Sequence, residues 1–251
     1  MGALPLDAFH IVLALLAFFL GGWVKGTVGI GLPTVSLAIL SSGLGLRESV
    51  ALMAVSALAT NFVQAFQGGA FRELVHTHWS LALGSFAGVW LGTLVLYHVD
   101  PLLLTGVLGV ILCLYSIWSL IAVPVRVPPA SIPVLGPITG IATGAFTGAT
   151  GSLVFPLLIY LQGLRLEKDR FVQLSGILAT MITGALVLAA ADRHMYDGTL
   201  APAALLALVP SFAGLYLGQR VRRRLSEDRF RTWLFIALLV LSLNLLRKGF
   251  L

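Results

Sequence analysis

Hydrophobic and polar positions along this chain sort by whole segments rather than residue by residue. Apolar runs occupy roughly 8–25, 32–43, 48–66, 78–97, 101–123, 132–147, 153–164, 169–191, 199–219 and 230–246, with short polar stretches between them. A helix needs about 20 apolar residues to cross a hydrocarbon core of about 30 Å, and most of these runs approach that length. The runs 32–43 and 153–164 do not; as helices they would reach only about 18 Å. Each follows a glycine-rich break: Gly22, Gly26 and Gly29 before Pro33, and Gly144, Gly148 and Gly151 before Pro156.

Both breaks have the pattern G-x-x-x-G-x-x-G, and they stand 122 residues apart. Glycine costs a helix about 1 kcal/mol relative to alanine, and proline removes an amide donor. Each break is therefore expected to be a hairpin of helix, irregular turn and half-helix. Unpaired backbone is tolerated in lipid only where it is buried in protein or lines a cavity, and matched breaks in two halves point to a transporter's binding site. Each half then holds five elements, a broken-helix hairpin and three helices, and an odd number inverts the second half. Residues 1–123 form the first repeat, 124–131 a cytoplasmic linker and 132–251 the second repeat of one membrane domain. Val50 aligns with Val172 at the same offset, and the pair Gly88 and Gly92 with Gly214 and Gly218 at an offset of 126. Those small-residue pairs predict close helix packing.

Composition agrees with this reading. The 251 residues are 58% hydrophobic and 10% charged, which no soluble domain of this size could bury. The fold class is an all-α polytopic membrane protein, and its surroundings are the lipid bilayer. The net charge of +6 would suggest nucleic acid in a soluble protein but marks cytoplasmic loops here, so no nucleic-acid partner is expected. Alternation puts Arg72, Arg126, Arg165, Lys168, Arg170, Arg220, Arg222, Arg223, Arg224, Arg229 and Arg231 on one side, and Arg47, Arg193, Arg247 and Lys248 on the other. The positive-inside rule makes the first side cytoplasmic and puts both termini outside. The basic stretch 220–231 serves as a topology determinant, or else contacts anionic lipid. No basic segment precedes the first apolar run, so no removable signal peptide is expected.

Candidate chemistry is sparse. The single Cys113 excludes an internal disulfide, the five histidines have no metal-ligand spacing, and His76 with His78 reads as a loop. No nucleophile–base constellation or P-loop occurs, so neither an enzyme nor a cofactor is expected. All ten carboxylates fall at segment ends or in loops, which argues against a cation carrier and suits an anionic substrate. Donors for an anion cluster at the breaks: Lys25, Gly26, Thr27 and Gly29 at the first, and Thr147, Gly148, Thr150, Gly151 and Ser152 at the second. Asn61, Gln64 and Gln173, with Thr60, Ser175, Thr180 and Thr183 nearby, stud the two helices that would wall the site. Lys25 keeps two readings: it snorkels to the headgroups, or it is a buried cation facing the cavity. Trp79, Trp90, Trp118 and Trp233 read as interface anchors or packing.

The stretches K-G-T-V-G-I-G-L-P and T-N-F-V-Q in the first half, and T-G-A-T-G-S-L-V-F-P-L-L-I-Y-L-Q-G-L and D-R-F-V-Q in the second, resemble the TauE/SafE sulfite exporter family over nearly the whole chain. Many members have three glycines in a row before the proline, where this chain has Gly29-Ile30-Gly31 and Gly151-Ser152-Leu153. The resemblance implies a bacterial or archaeal inner-membrane secondary transporter of a small anion such as sulfite, an organosulfonate or a related oxyanion. It further implies proton coupling, with a passive anion channel of the same architecture as the alternative. It leaves room for a homodimer.

Overall fold

The computed structural model describes residues 7–29, 31–121, 126–153, 156–196, 198, 200–222 and 227–250. The helices are α1 (Ala8–Val28), α2 (Leu32–Leu40), α3 (Leu46–Ala65), α4 (Phe71–His98), α5 (Pro101–Ile121), α6 (Ile132–Thr150), α7 (Leu157–Gly163), α8 (Lys168–Asp192), α9 (Leu200–Leu206), α10 (Leu208–Arg222) and α11 (Glu227–Phe250), with a 3₁₀ turn at Pro129–Ser131. No described residue is in a strand, and seven stretches are long and apolar enough to cross a membrane. The protein is an all-α polytopic membrane protein. The short runs are α2 and α7, nine and seven residues long.

Local chemistry sets the helix ends. Asp7 caps α1, its carboxylate accepting from the His10 amide at 2.9 Å and from the His10 ring. These two bonds hold the Asp7 carboxyl below the usual carboxylate range. Arg47 donates to the carbonyls of Leu96, Tyr97 and Val99 at 2.9–3.1 Å, closing the C-terminal end of α4. Lys248 does the same for α2 through Ser41 and Ser42. Two of the four basic residues assigned to the outer side are thus bound to helix ends.

Several boundaries differ from the sequence reading. The first glycine-broken helix runs through Gly26 to Val28, and the second through Gly148 to Thr150, so the break comes at the third glycine of each motif. Helix α4 starts at Phe71, which puts His76 and His78 on a helix rather than in a loop. The ninth segment is divided at Ala207, three residues before Pro210. Residues 124 and 125 of the expected linker, and Arg223 and Arg224 of the basic stretch, lie outside the described residues.

Helices α3 and α8 form the interior: 61% and 67% of their spans are buried, against 33–44% for the other five. Around them α1 packs on α10, α6 on α4, and α5 on α11, so the first helix of each half lies against the other half's fourth segment. Glycines make two of these seams. A Cβ on Gly22 or Gly26 would collide with the α10 backbone, and one on Gly214 or Gly218 with that of α1. Likewise Gly144 and Gly148 press on α4, and Gly88 and Gly92 on α6. The contacts correspond pair by pair: Gly26 meets Gly218 as Gly148 meets Gly92, at offsets of 122 and 126. This is the close packing that the small-residue spacing predicts.

Candidate functional site

At each break a helix ends on a left-handed glycine. Gly29 has φ 92° and its amide donates to the Lys25 carbonyl at 2.8 Å; Gly151 has φ 73° and donates to the Thr147 carbonyl at 2.7 Å. A left-handed residue is costly for any side chain with a Cβ, so glycine is required at both positions. Helix α2 restarts after Gly31 with Pro33 in its first turn, and α7 after Pro156. The first amides of α2 have no intrahelical acceptor, as at any helix start.

Lys25 lies on the last turn of α1 and is 2% exposed, so it does not snorkel. Its ammonium donates to Thr60 Oγ1 at 3.2 Å and to Asn61 Oδ1. Thr60 passes its own proton back to the Ser56 or Ala57 carbonyl, and Asn61 Nδ2 donates to Thr183 Oγ1 at 3.5 Å. Asn61 and Thr183 are themselves 122 residues apart, so equivalent positions of the two halves meet where α3 crosses α8. Among the described residues the only ion pairs are His10–Asp7 and Arg170–Glu73, both outside this region. The Lys25 ammonium is therefore buried among neutral oxygens. A buried cation without a counter-charge carries a desolvation penalty of several kcal/mol, which neutral dipoles offset only in part.

Two small cavities flank it. The first lies between the breaks and is lined by Lys25, Gly29, Gly31, Pro33, Asn61, Gln64, Leu153, Leu157, Leu158, Ser175 and Ala179. The second runs toward the C-terminal ends of α3 and α10, with Lys25, Gly26, Gly29, Thr60, Gln64, Gln67, Val172 and Gln219 among its walls. The space open to the centre of a water molecule is ≈ 10 Å³ in the first and ≈ 20 Å³ in the second, room for about one water each. Larger clefts of ≈ 240 Å³ between α1 and α9 and ≈ 380 Å³ between α3, α4 and α8 are lined almost wholly by hydrocarbon. The polar side chains among their walls are His10, already paired with Asp7, in the first and His78 and Thr180 in the second, and size alone does not recommend them.

The other sequence candidates divide by what their polar atoms already do. Thr27 donates to the Trp23 or Val24 carbonyl, Thr147 to Thr143 or Ser152, and Thr150 to Phe146. The proton of each hydroxyl is engaged within its own segment. Among the described residues Ser152 Oγ is buried with no partner, a free hydroxyl donor at the second break, as are the hydroxyls of Thr143 and Tyr160 on the helices either side of it. Gln64 donates to the Val172 carbonyl at 2.8 Å and to Ser175 Oγ at 3.2 Å. Gln173 accepts from the Ala70 amide at 2.8 Å and donates to the Ala65 carbonyl at 3.0 Å, clamping the turn between α3 and α4. Gly26 and Gly148 lie inside continuous helices against their seams, and the Gly151 backbone packs on Val50 and Leu37. Thus Lys25, Gly29, Asn61 and Gln64 line the middle cavity, and Gly26 joins Lys25, Gly29 and Gln64 in the second. Thr27, Thr147, Gly148, Thr150, Gly151, Ser152 and Gln173 line neither. Gln67 and Gln219 escaped the sequence reading because amides at segment ends look like ordinary interfacial residues.

A family model described as Sulfite exporter TauE/SafE matches residues 13–245. Neither the curated proteins nor the solved structures compared with the chain give a match.

Proposed function

The chain belongs to the sulfite exporter TauE/SafE family of membrane transporters, and on that premise we propose that it is a secondary carrier whose small oxyanion binds at Lys25. One observation carries the reading: an ammonium 2% exposed, held only by the neutral oxygens of Thr60 and Asn61, between two glycine breaks. An anion entering the middle cavity would supply the missing counter-charge. Hydrogen bonds to a charged group are worth about 1.5–3 kcal/mol each, so Lys25 with the second Asn61 amide proton, joined by the Ser152 hydroxyl once the carrier rearranges, would offset much of the ion's dehydration. A single cation, rather than a cluster, lets the ligand leave again. The substrate class is sulfite or a related sulfur or carbon oxyanion, and the coupling ion is the proton.

Both cavities are too small for a hydrated anion in this conformation, which favours a carrier that must rearrange over an open channel. The matched seams at offsets of 122 and 126 favour two repeats, residues 1–123 and 132–251, in inverted orientation. The basic loops favour an inner-membrane orientation with both termini outside. The test is sulfite uptake into proteoliposomes under an imposed proton gradient. Lys25→Met is expected to lower uptake at least twentyfold while the protein stays monodisperse, and dissipating the gradient is expected to stop uptake by the unaltered protein. Full uptake by Lys25→Met would refute the site, and uptake indifferent to the gradient would favour a channel.

A further inference from the structure

Applied to the second cavity, the 122- and 126-residue offsets expose an asymmetry. The walls Thr60, Gln64, Gln67 and Gln219 are polar, and Gln67 and Gln219 at its end are exposed. Their counterparts in the other half are Ile182, Leu186, Ala189 and Thr93. All four counterparts are buried, at 0%, 2%, 2% and 6% exposure. Ile182 and Leu186 belong to one hydrophobic cluster with Val50, Val89 and Ala185. A Cβ on Gly151 would strike Val50 and Leu37, so the second break is packed shut on this cluster. Beyond it, Tyr196 donates to the Ala51 carbonyl at 3.0 Å, fastening the loop after α8 onto α3. One half of the path is thus a narrow cavity with three glutamines among its walls, open at the face carrying Arg220. The equivalent half has no amide at the matching positions and, Thr93 and Thr147 apart, is hydrocarbon.

The geometry points to a hydrophobic gate formed by Val50, Ile182 and Leu186, which closes the path between Lys25 and the face opposite the basic loops, while Gln64, Gln67 and Gln219 form the access vestibule. The inference rests on Lys25 being the anion site. A small oxyanion exchanges its water for amide hydrogen bonds stepwise along the glutamines, but finds no donor among the gate side chains. An ion cannot shed its shell into hydrocarbon, so the seal holds without a charged lock. Transport then requires α8 and α3 to part at Leu186, not merely a side-chain swing.

The test measures sulfite leak from loaded proteoliposomes with no proton gradient. Leu186→Gln, which copies Gln64 into the gate, is expected to raise the leak at least tenfold, and adding Lys25→Met is expected to return it to the unaltered level. No leak from a folded Leu186→Gln protein, with wild-type uptake still dependent on Lys25, overturns the gate and leaves the site standing. A leak that survives Lys25→Met overturns the route through Lys25, and with it the site. Should Leu186→Gln fail to fold, single cysteines at Gln67 and Ala189 in a Cys113→Ser background decide the matter. A membrane-impermeant methanethiosulfonate is expected to modify the Gln67 position from one side at least tenfold faster than the Ala189 position from either. Equal rates, or no reaction at either position, overturn the gate.

Discussion

The two glycine breaks share a backbone plan and differ in the residue whose carbonyl each glycine caps. Both end a helix on a left-handed glycine whose amide caps the residue four earlier, and both resume in a helix too short to cross the membrane. That capped residue is Lys25 at the first break and Thr147 at the second. Lys25 reaches out to α3, whereas Thr147 turns its hydroxyl back on Thr143 and Ser152. The backbone plan is common to both breaks, and only the first carries a charge.

The comparison can be broken first at what the halves share. Gly214→Val and Gly88→Val each put a side chain into the backbone of the facing helix, at Phe19 and Ile141. Overpacking of this kind costs about 1–3 kcal/mol when neighbours can yield, and more against backbone. Both variants are expected to lose most of their monodisperse protein on size exclusion in detergent, and to similar extents. Next comes the difference itself. Thr147→Lys makes the breaks alike by adding a second buried ammonium, at a cost of several kcal/mol. Its melting temperature is expected to fall by more than 5 °C and to recover in part with sulfite; no fall would mean that the second break is wetter than it looks. A smaller effect tests what the second break gives the ligand. Ser152→Ala removes the unpartnered hydroxyl and is expected to weaken sulfite binding about tenfold, measured calorimetrically, in line with one hydrogen bond to a charge. Thr150→Val is the smallest: its proton already serves the Phe146 carbonyl, so affinity is expected to stay within about twofold.

Much of this was legible in the sequence. The apolar runs are the helices, the two short runs are α2 and α7, and the family follows from motifs in both halves. What stayed hidden has a common cause. A glycine in an apolar run serves equally to break a helix or to let another helix approach, and only the facing residues decide. Gly26 and Gly148 look like the break because the turn's real requirement, a positive φ, falls three residues later. Lys25 and Asn61 could each be singled out from burial cost, but their pairing spans 36 positions and two helices. Gln173 looked like a wall of the site for the same reason of cost. Its amide is satisfied instead by a turn whose position no local pattern gives.

The seam between α1 and α10 also has a consequence in time. Gly26 waits for Gly218 across most of the chain, while Gly144 meets Gly88 soon after α6 emerges. At roughly 5–20 residues per second of synthesis, α1 sits in the bilayer for about 10–40 s with its glycine groove uncovered, although α3, which holds Lys25, is made soon after it. Biogenesis of this protein is therefore polarised: the half made last completes the half made first. A ribosome stalled before α10 leaves behind a first helix that quality control can recognise by its bare glycine face.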